Sequence, residues 1–227
     1  MKVTAVRTGI FTERTDLVVF IKKHIPVITE KSIVVISSKV AALSEGRTAD
    51  ITQKEALIKR ESSWRKKVLP QWWLTVRDGV VIVNAGIDES NADGKLVLLP
   101  KDCFQSASIL RKQLRKLYGV KKLGVVITDS RVAPLRAGVT GVALGYAGFK
   151  GIRDYRGTQD IFGKKLEVTQ TNIADSLATA ATLVMGEGSE QQPLAVITNA
   201  PVEFVDTVDS QEVLIDPTED MYRGLLR

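Results

Sequence analysis

Two valine-rich runs each lead into an aspartate, and hard oxygen chemistry begins there. Val80-Val81-Ile82-Val83 is followed by NAGIDESN, Asn84 to Asn91, and Val125-Val126-Ile127-Thr128 is followed by Asp129-Ser130. An acidic turn after one strand is ordinary turn chemistry. Two of them allow more: if the strands are neighbours, Asp88 and Asp129 converge beside the Ser130 hydroxyl. That donor set suits magnesium or manganese and is wrong for zinc or copper. A divalent ion held by so few carboxylates completes its shell with water and phosphate oxygens, so the expected ligand is a nucleotide. Ser37-Ser38-Lys39, after another apolar run, places a lysine cation within reach of phosphate. MGEGSEQQP, Met185 to Pro193, frees the backbone to approach a ligand and adds Glu187 as a further oxygen donor.

Much other chemistry is excluded. The chain has one cysteine and one histidine, too few for a disulfide framework or a Cys/His zinc site. His24 closes the run Ile21-Lys22-Lys23-His24, where a helix C-terminus favours a cation and implies a structural role. Cys103 has no evident partner base and reads as a packing residue. No GxxxxGK[ST] motif occurs, and the glycines of AGVTGVALGYAG, Ala137 to Gly148, lack the strand, fingerprint and helix order of a dinucleotide site. They read as glycines that permit tight strand bends.

These groups need a frame, and the sequence describes one. Strands are expected at Ile33 to Ile36, Gly79 to Val83, Leu123 to Thr128, Leu166 to Thr169 and Leu194 to Thr198, runs whose continuous apolar character suits a sheet covered on both faces. Helices are expected at Asp16 to His24, Thr52 to Lys67, Asp102 to Tyr118 and Ile173 to Met185, the third capped by Asp102 and closed by Gly119. Strands and helices do not alternate strictly. The expected class is therefore α+β, a mixed β-sheet core with packed helices, in a single domain over residues 1 to 227. Trp64, Trp72 and Trp73 precede a strand and read as core or interface anchors.

Composition agrees with a packed domain. Of 227 residues, 44% are hydrophobic and 26% charged, which leaves no room for a disordered, collagen-like or membrane-spanning reading. Thirty-two basic against 26 acidic residues give a charge of +6, but the basic residues are dispersed. Their densest stretch, Arg111 to Lys122, has the spacing of a helix with one solvated face, so neither nucleic acid nor a membrane surface is the expected partner. Met1-Lys2-Val3-Thr4 lacks the apolar core of a signal peptide, which points to the cytoplasm.

Taken in order along the chain, the pieces resemble the coenzyme F-420-0:L-glutamate ligase family. VVISSKVAALSEGR (Val34 to Arg47), Glu61-Ser62, NAGIDESN, LLPKD (Leu98 to Asp102), VVITDS (Val125 to Ser130), Pro134 with Arg136, GVTGVALGYAG, DYRGTQDIFGKKLEVT (Asp154 to Thr169) and ADSLATAATLVMGEG (Ala174 to Gly188) carry it. The resemblance implies a GTP-dependent γ-glutamyl ligase that joins L-glutamate to a carboxylate-bearing cofactor precursor through an acyl phosphate, with the family's α+β fold in an intertwined homodimer. Position by position, it implies one metal on Asp88 and Asp129 and a second on Ser130 and Glu187. Around the GTP it implies Thr8, Gly9, Ile10 and Phe11, Ser38 and Lys39, the Leu43 position, Asn91, and Met185, Gly186, Glu187, Gly188 and Ser189.

Three departures stand out. The family commonly has lysine where this chain has Leu43. Ser130-Arg131-Val132-Ala133-Pro134-Leu135-Arg136 lacks an arginine, a glycine and an aromatic of the family pattern, at Ala133 and Leu135 among others. Arg131 offers a replacement guanidinium from two positions away. The acceptor could thus be a reduced folate rather than a deazaflavin, and the rival reading is a nucleotide-binding homologue without turnover.

Overall fold

The computed structural model describes residues 1–225. In chain order its elements are β1 (Lys2–Val6), α1 (Leu17–His24), β2 (Ser32–Ser37), α2 (Ser38–Ser44), β3 (Thr48–Asp50), α3 (Lys54–Glu61), β4 (Trp64–Leu69), β5 (Trp72–Arg77), β6 (Val80–Val83), β7 (Lys95–Val97), α4 (Cys103–Tyr118), β8 (Leu123–Val132), β9 (Val139–Ala147), β10 (Ile152–Asp154), β11 (Gln170–Asn172), α5 (Ile173–Met185) and β12 (Leu194–Thr198). The main sheet has the order β1-β12-β2-β8-β9. Only the β2 and β8 pair is parallel; the other three pairs are antiparallel, so the sheet is mixed, as the sequence implies.

Both faces of that sheet are covered. Val34, Ile36, Val125 and Ile127 point into one core with α1, α2 and α4. Ile33, Val35 and Val126 point into the other with α5. This explains why β2 and β8 read as unbroken valine and isoleucine runs rather than alternating ones. Asp102 caps α4 by accepting the Gln105 N–H at 2.8 Å, and Gly119 closes it at φ 67°. Asn172 caps α5 by accepting the Asp175 N–H.

Where the structure departs from the sequence reading, the causes are local. The helix expected from Thr52 to Lys67 stops at Glu61, because the Ser62 hydroxyl donates to the Ile58 carbonyl at 2.7 Å and the Ser63 N–H turns to Val76. Trp64 to Leu69 then pairs with β5 in the three-stranded sheet β4-β5-β6. The tryptophans lie within β4 and β5 rather than before a strand; Trp72 is exposed and the other two are half-buried, so none anchors the main core. Leu166 to Thr169 is not a strand. No neighbouring element buries it, and strand pairing begins only at Gln170, opposite Asp154.

The glycines of the 137 to 148 segment do not bend a strand. They lie in or beside β9, where a Cβ on Gly141 would stand 2.6 Å from the Ala178 backbone of α5, and one on Gly145 would stand 2.3 Å from the Cys103 backbone of α4. The β8–β9 register shifts by one residue at Leu144, so the two glycines face opposite sides of the sheet. The basic helix also differs from expectation. Arg111 is buried, donating to the Leu123 carbonyl at 2.7 Å and to the Asp206 carbonyl at 3.1 Å, and ties the chain beyond β12 to α4. Among the described residues, no helix is long and apolar enough to cross a membrane.

Candidate active site

The parallel pair sets the site. Ser37 lies opposite Thr128 in register, so the chain leaves β2 into Ser38-Lys39 beside the point where β8 carries Asp129-Ser130. Crevices beyond the carboxyl ends of parallel strands are the usual ligand sites of such sheets. Ser38 Oγ donates to Asp129 Oδ2 at 2.9 Å, and the Ser130 N–H donates to Asp129 Oδ1 at 2.7 Å.

Asp88 arrives from a different sheet. A short 3-10 turn at Asn84–Gly86, with Asn84 and Ala85 at positive φ, redirects the chain after β6. Asp88 then bridges Val97 through two backbone hydrogen bonds, of 3.0 and 2.8 Å. Its carboxylate accepts the Ser90 N–H at 2.8 Å and the Ser90 hydroxyl at 2.7 Å, a turn that fixes both oxygens. Lys39 Nζ lies 2.7 Å from Asp88 Oδ2, 2.6 Å from the Ser90 carbonyl and 3.2 Å from Ser90 Oγ. The ammonium thus sits among oxygens of one turn.

A cleft of about 960 Å³ opens over these groups. Every sequence-derived site residue lines it: Thr8, Gly9, Ile10 and Phe11; Ser38, Lys39 and Leu43; Asp88 and Asn91; Asp129 and Ser130; and Met185, Gly186, Glu187, Gly188 and Ser189. Gly186, at φ 80°, ends α5 and turns the chain into the cleft, and the Glu190 carboxylate accepts the Gly188 N–H at 2.8 Å. Asn91 reaches across to the Gly188 carbonyl at 3.4 Å, and the Thr8 N–H donates to the Gln191 carbonyl at 2.8 Å. Three separate chain segments are laced together there.

The electrostatics single out Asp129. Burial pushes it from the ordinary 3.8 up to about 6, the Asp88 and Glu187 charges push the same way, and the hydrogen bonds from Ser130 and Ser38 only partly offset them. Glu187 is also raised, by burial first, with Asp88 and Glu190 adding repulsion. Burial opposes ionisation of Asp88 too, but Lys39 and Ser90 outweigh it and hold its carboxyl below the usual range. Such mutual repulsion of carboxylates calls for a cation. The donor set is all oxygen, and the Lys39 ammonium shows that the Asp88 turn accommodates positive charge. Among the described residues no three His, Cys, Asp or Glu side chains form a complete metal cage. A hard divalent ion fits these residues only if hydroxyl, water or phosphate oxygens supply the rest of its shell.

Leu43 packs against the apolar core at the cleft edge, where it offers no charge. Arg131 does not substitute for a missing guanidinium: it pairs with Asp175 at 3.3 Å, outside the cleft. Leu135 is fully exposed at the tip of the β8–β9 hairpin with φ 58°. Cys103 fits its reading as a packing residue, and burial pushes its thiol up to about 12, which leaves it unreactive.

Sequence reasoning missed several cleft residues. Ser90, which fixes Asp88, was signalled by the Asp-x-Ser spacing of an acidic turn. Glu190 falls within the loop from Met185 to Gln192 that the resemblance places around the nucleotide, but its hydrogen bond to the Gly188 amide had no signal of its own. Glu13, which accepts from Thr48 at 2.7 Å and Lys95 at 2.8 Å on the cleft wall, has no local signature at all.

In this mixed-sheet α+β protein, one cleft gathers hard-oxygen donors and a lysine against the glycine-rich loop after α5. Residues 56–199 match the family model described as F420-0:Gamma-glutamyl ligase. The chain is 38% identical over 179 residues to the coenzyme F420:L-glutamate ligase of Methanococcus maripaludis strain C6, covering 78% of this chain and 70% of that one. It is 38% identical over 182 residues to the enzyme of the same name from Methanopyrus kandleri, covering 78% and 72%. It is 43% identical over 150 residues to that of Haloarcula marismortui, covering 66% and 57%. The chain belongs to the F420-0:gamma-glutamyl ligase family, and it is an enzyme of the ligase class.

Proposed function

We propose that the chain is a GTP- and divalent-metal-dependent γ-glutamyl ligase that adds L-glutamate to coenzyme F-420-0 or a similarly tailed carboxylate. The observation that carries this reading is the convergence of Asp88, Asp129 and Glu187, mutually repelling carboxylates from three chain segments, on one cleft. The family membership and the names of the relatives support the choice of glutamate and of the deazaflavin acceptor.

Amide formation from a free carboxylate needs an activated acyl group. In the proposed reaction an acceptor carboxylate oxygen attacks the γ-phosphorus of GTP, the bond to the β-phosphate oxygen breaks, and GDP leaves. The amine of glutamate then attacks the acyl phosphate carbon, phosphate departs with the electron pair of the C–O bond, and the amine loses its proton. Asp88 and Asp129 would hold one divalent ion, and Ser130 with Glu187 a second. When bound, such ions neutralise polyphosphate charge and align the displacement.

The chain's own residues bind and orient. Lys39 supplies a point charge for phosphate. Ser38 and the Ser130 amide fix the Asp129 rotamer through their two hydrogen bonds. The 186 to 190 loop lines the cleft, and Ile10, 81% exposed at the lip, offers an apolar surface for a base. Working as a single domain, in the family's fold and as a homodimer in the cytoplasm, is part of this proposal.

The test uses purified protein with GTP, manganese, L-glutamate and either a deazaflavin or a reduced folate acceptor, read by product mass. GDP should form only when acceptor and glutamate are both present, with the acceptor gaining one or more glutamyl residues. GTP binding without product against any acceptor would overturn the ligase reading.

A further inference from the structure

One wall of the cleft is a segment without secondary structure, Thr8 to Phe11, and it needs an anchor. At one end the Thr8 N–H is taken by Gln191; at the other, Phe11 is buried edge-on against Phe20, with ring centroids 4.8 Å apart. Between them the Gly9 N–H points to Nε2 of His24, at 3.3 Å. The other ring nitrogen, Nδ1, lies 2.9 Å from the Phe20 carbonyl. A carbonyl can only accept, so Nδ1 carries the proton and Nε2 is left as the acceptor that an N–H requires. The Phe20 ring packs on the imidazole with centroids 4.4 Å apart. The only histidine of the chain is thus locked in one tautomer and aimed at the cleft wall, a stronger arrangement than a helix-terminal cation requires.

We infer that His24 is a positioning residue for nucleotide binding: through Gly9 it sets the backbone of Thr8 to Phe11 against the substrate. This rests on the nucleotide reading of the cleft. A segment with two fixed ends and a free middle would sample many conformations before binding and would be ordered on binding at an entropic cost. The hydrogen bond from Gly9 removes that cost beforehand.

The experiment compares His24→Phe, which keeps ring packing on Phe20 but has no acceptor, with His24→Gln, whose Oε1 can take the Gly9 N–H. In the ligand-free protein the Gly9 amide should exchange with solvent several-fold faster in His24→Phe than in wild type, and near the wild-type rate in His24→Gln. Isothermal titration with GTP and manganese should show a three- to tenfold weaker Kd for His24→Phe and a recovery to within about twofold for His24→Gln. In turnover, KM for GTP should rise while kcat stays within twofold. Wild-type binding with an unchanged Kd in His24→Phe would overturn the inference and leave the ligase reading standing. Wild-type protein that binds no GTP would overturn both. If His24→Phe fails to fold, His24→Leu decides: a Gly9 amide exchanging many-fold faster there than in wild type, with GTP affinity unchanged, would overturn the inference, and faster exchange together with a weaker Kd would support it.

Discussion

The ammonium of Lys39 lies 2.7 Å from Asp88 Oδ2, although the two residues reach the cleft from different sheets. Lys39 follows the end of a main-sheet strand, whereas Asp88 follows the satellite sheet β4-β5-β6. The pair therefore joins the two parts of the molecule directly at the site. It also balances Asp88, whereas among the described residues neither Asp129 nor Glu187 forms an ion pair.

Removing that ammonium tests its role. Lys39→Met should weaken GTP binding by tenfold or more, the scale of a charge-assisted contact of 1.5 to 3 kcal/mol. The pair itself is partly buried, with side-chain exposures of 23% and 47%, so unfolding stability should fall by about 1 kcal/mol. Titration calorimetry with GTP and urea unfolding measure the two effects separately.

Asp129 gives the metal-free protein a signed pH dependence. Its folded-state value, about 6, lies above the ordinary 3.8. Between those values the folded state binds more protons than the unfolded one, so this group's stabilising contribution is present at low pH and is lost as pH rises through that window. Asp129→Asn should be more stable than wild type at pH 7 without metal, on the order of 1 to 3 kcal/mol, and the difference should vanish near pH 4. Urea unfolding at the two pH values, with chelator present, measures it; equal stability at pH 7 would mean that burial does not strain the carboxylate.

Gly145 tests the packing of α4 against β9. A methyl group there meets the Cys103 backbone at 2.3 Å, and backbone cannot rotate aside as a side chain can. Gly145→Ala should destabilise by about 2 to 3 kcal/mol. A melting temperature within a degree of wild type would show that α4 is free to lift from the sheet.

The sequence made part of this legible, and physical causes separate that part from the rest. β12 and α5 fall where apolar runs and caps place them, because their signals are local: Leu194 to Thr198 is bounded by Pro193, and α5 runs from Asn172 to Gly186. β9 was not legible, since its glycines answer to helices that reach it only in the folded state. β4 was not legible either, since Arg65-Lys66-Lys67 suits a helix and only Ser62 and the pairing with β5 end one. In the site, Asp88 and Asp129 could be read from strand ends, but Glu13 and Lys95 meet across 82 positions of chain, and nothing near either one signals the other.

Manganese binding measures directly whether the carboxylates of Asp88 and Asp129 share a cation, on which the ligase reading of the cleft depends. Electron paramagnetic resonance titration of free manganese against the protein, with GTP present, should show tight binding in wild type. It should show a loss of at least tenfold in affinity, or of one bound ion, in both Asp88→Asn and Asp129→Asn. Manganese titrating onto either variant with wild-type affinity and stoichiometry would contradict the account.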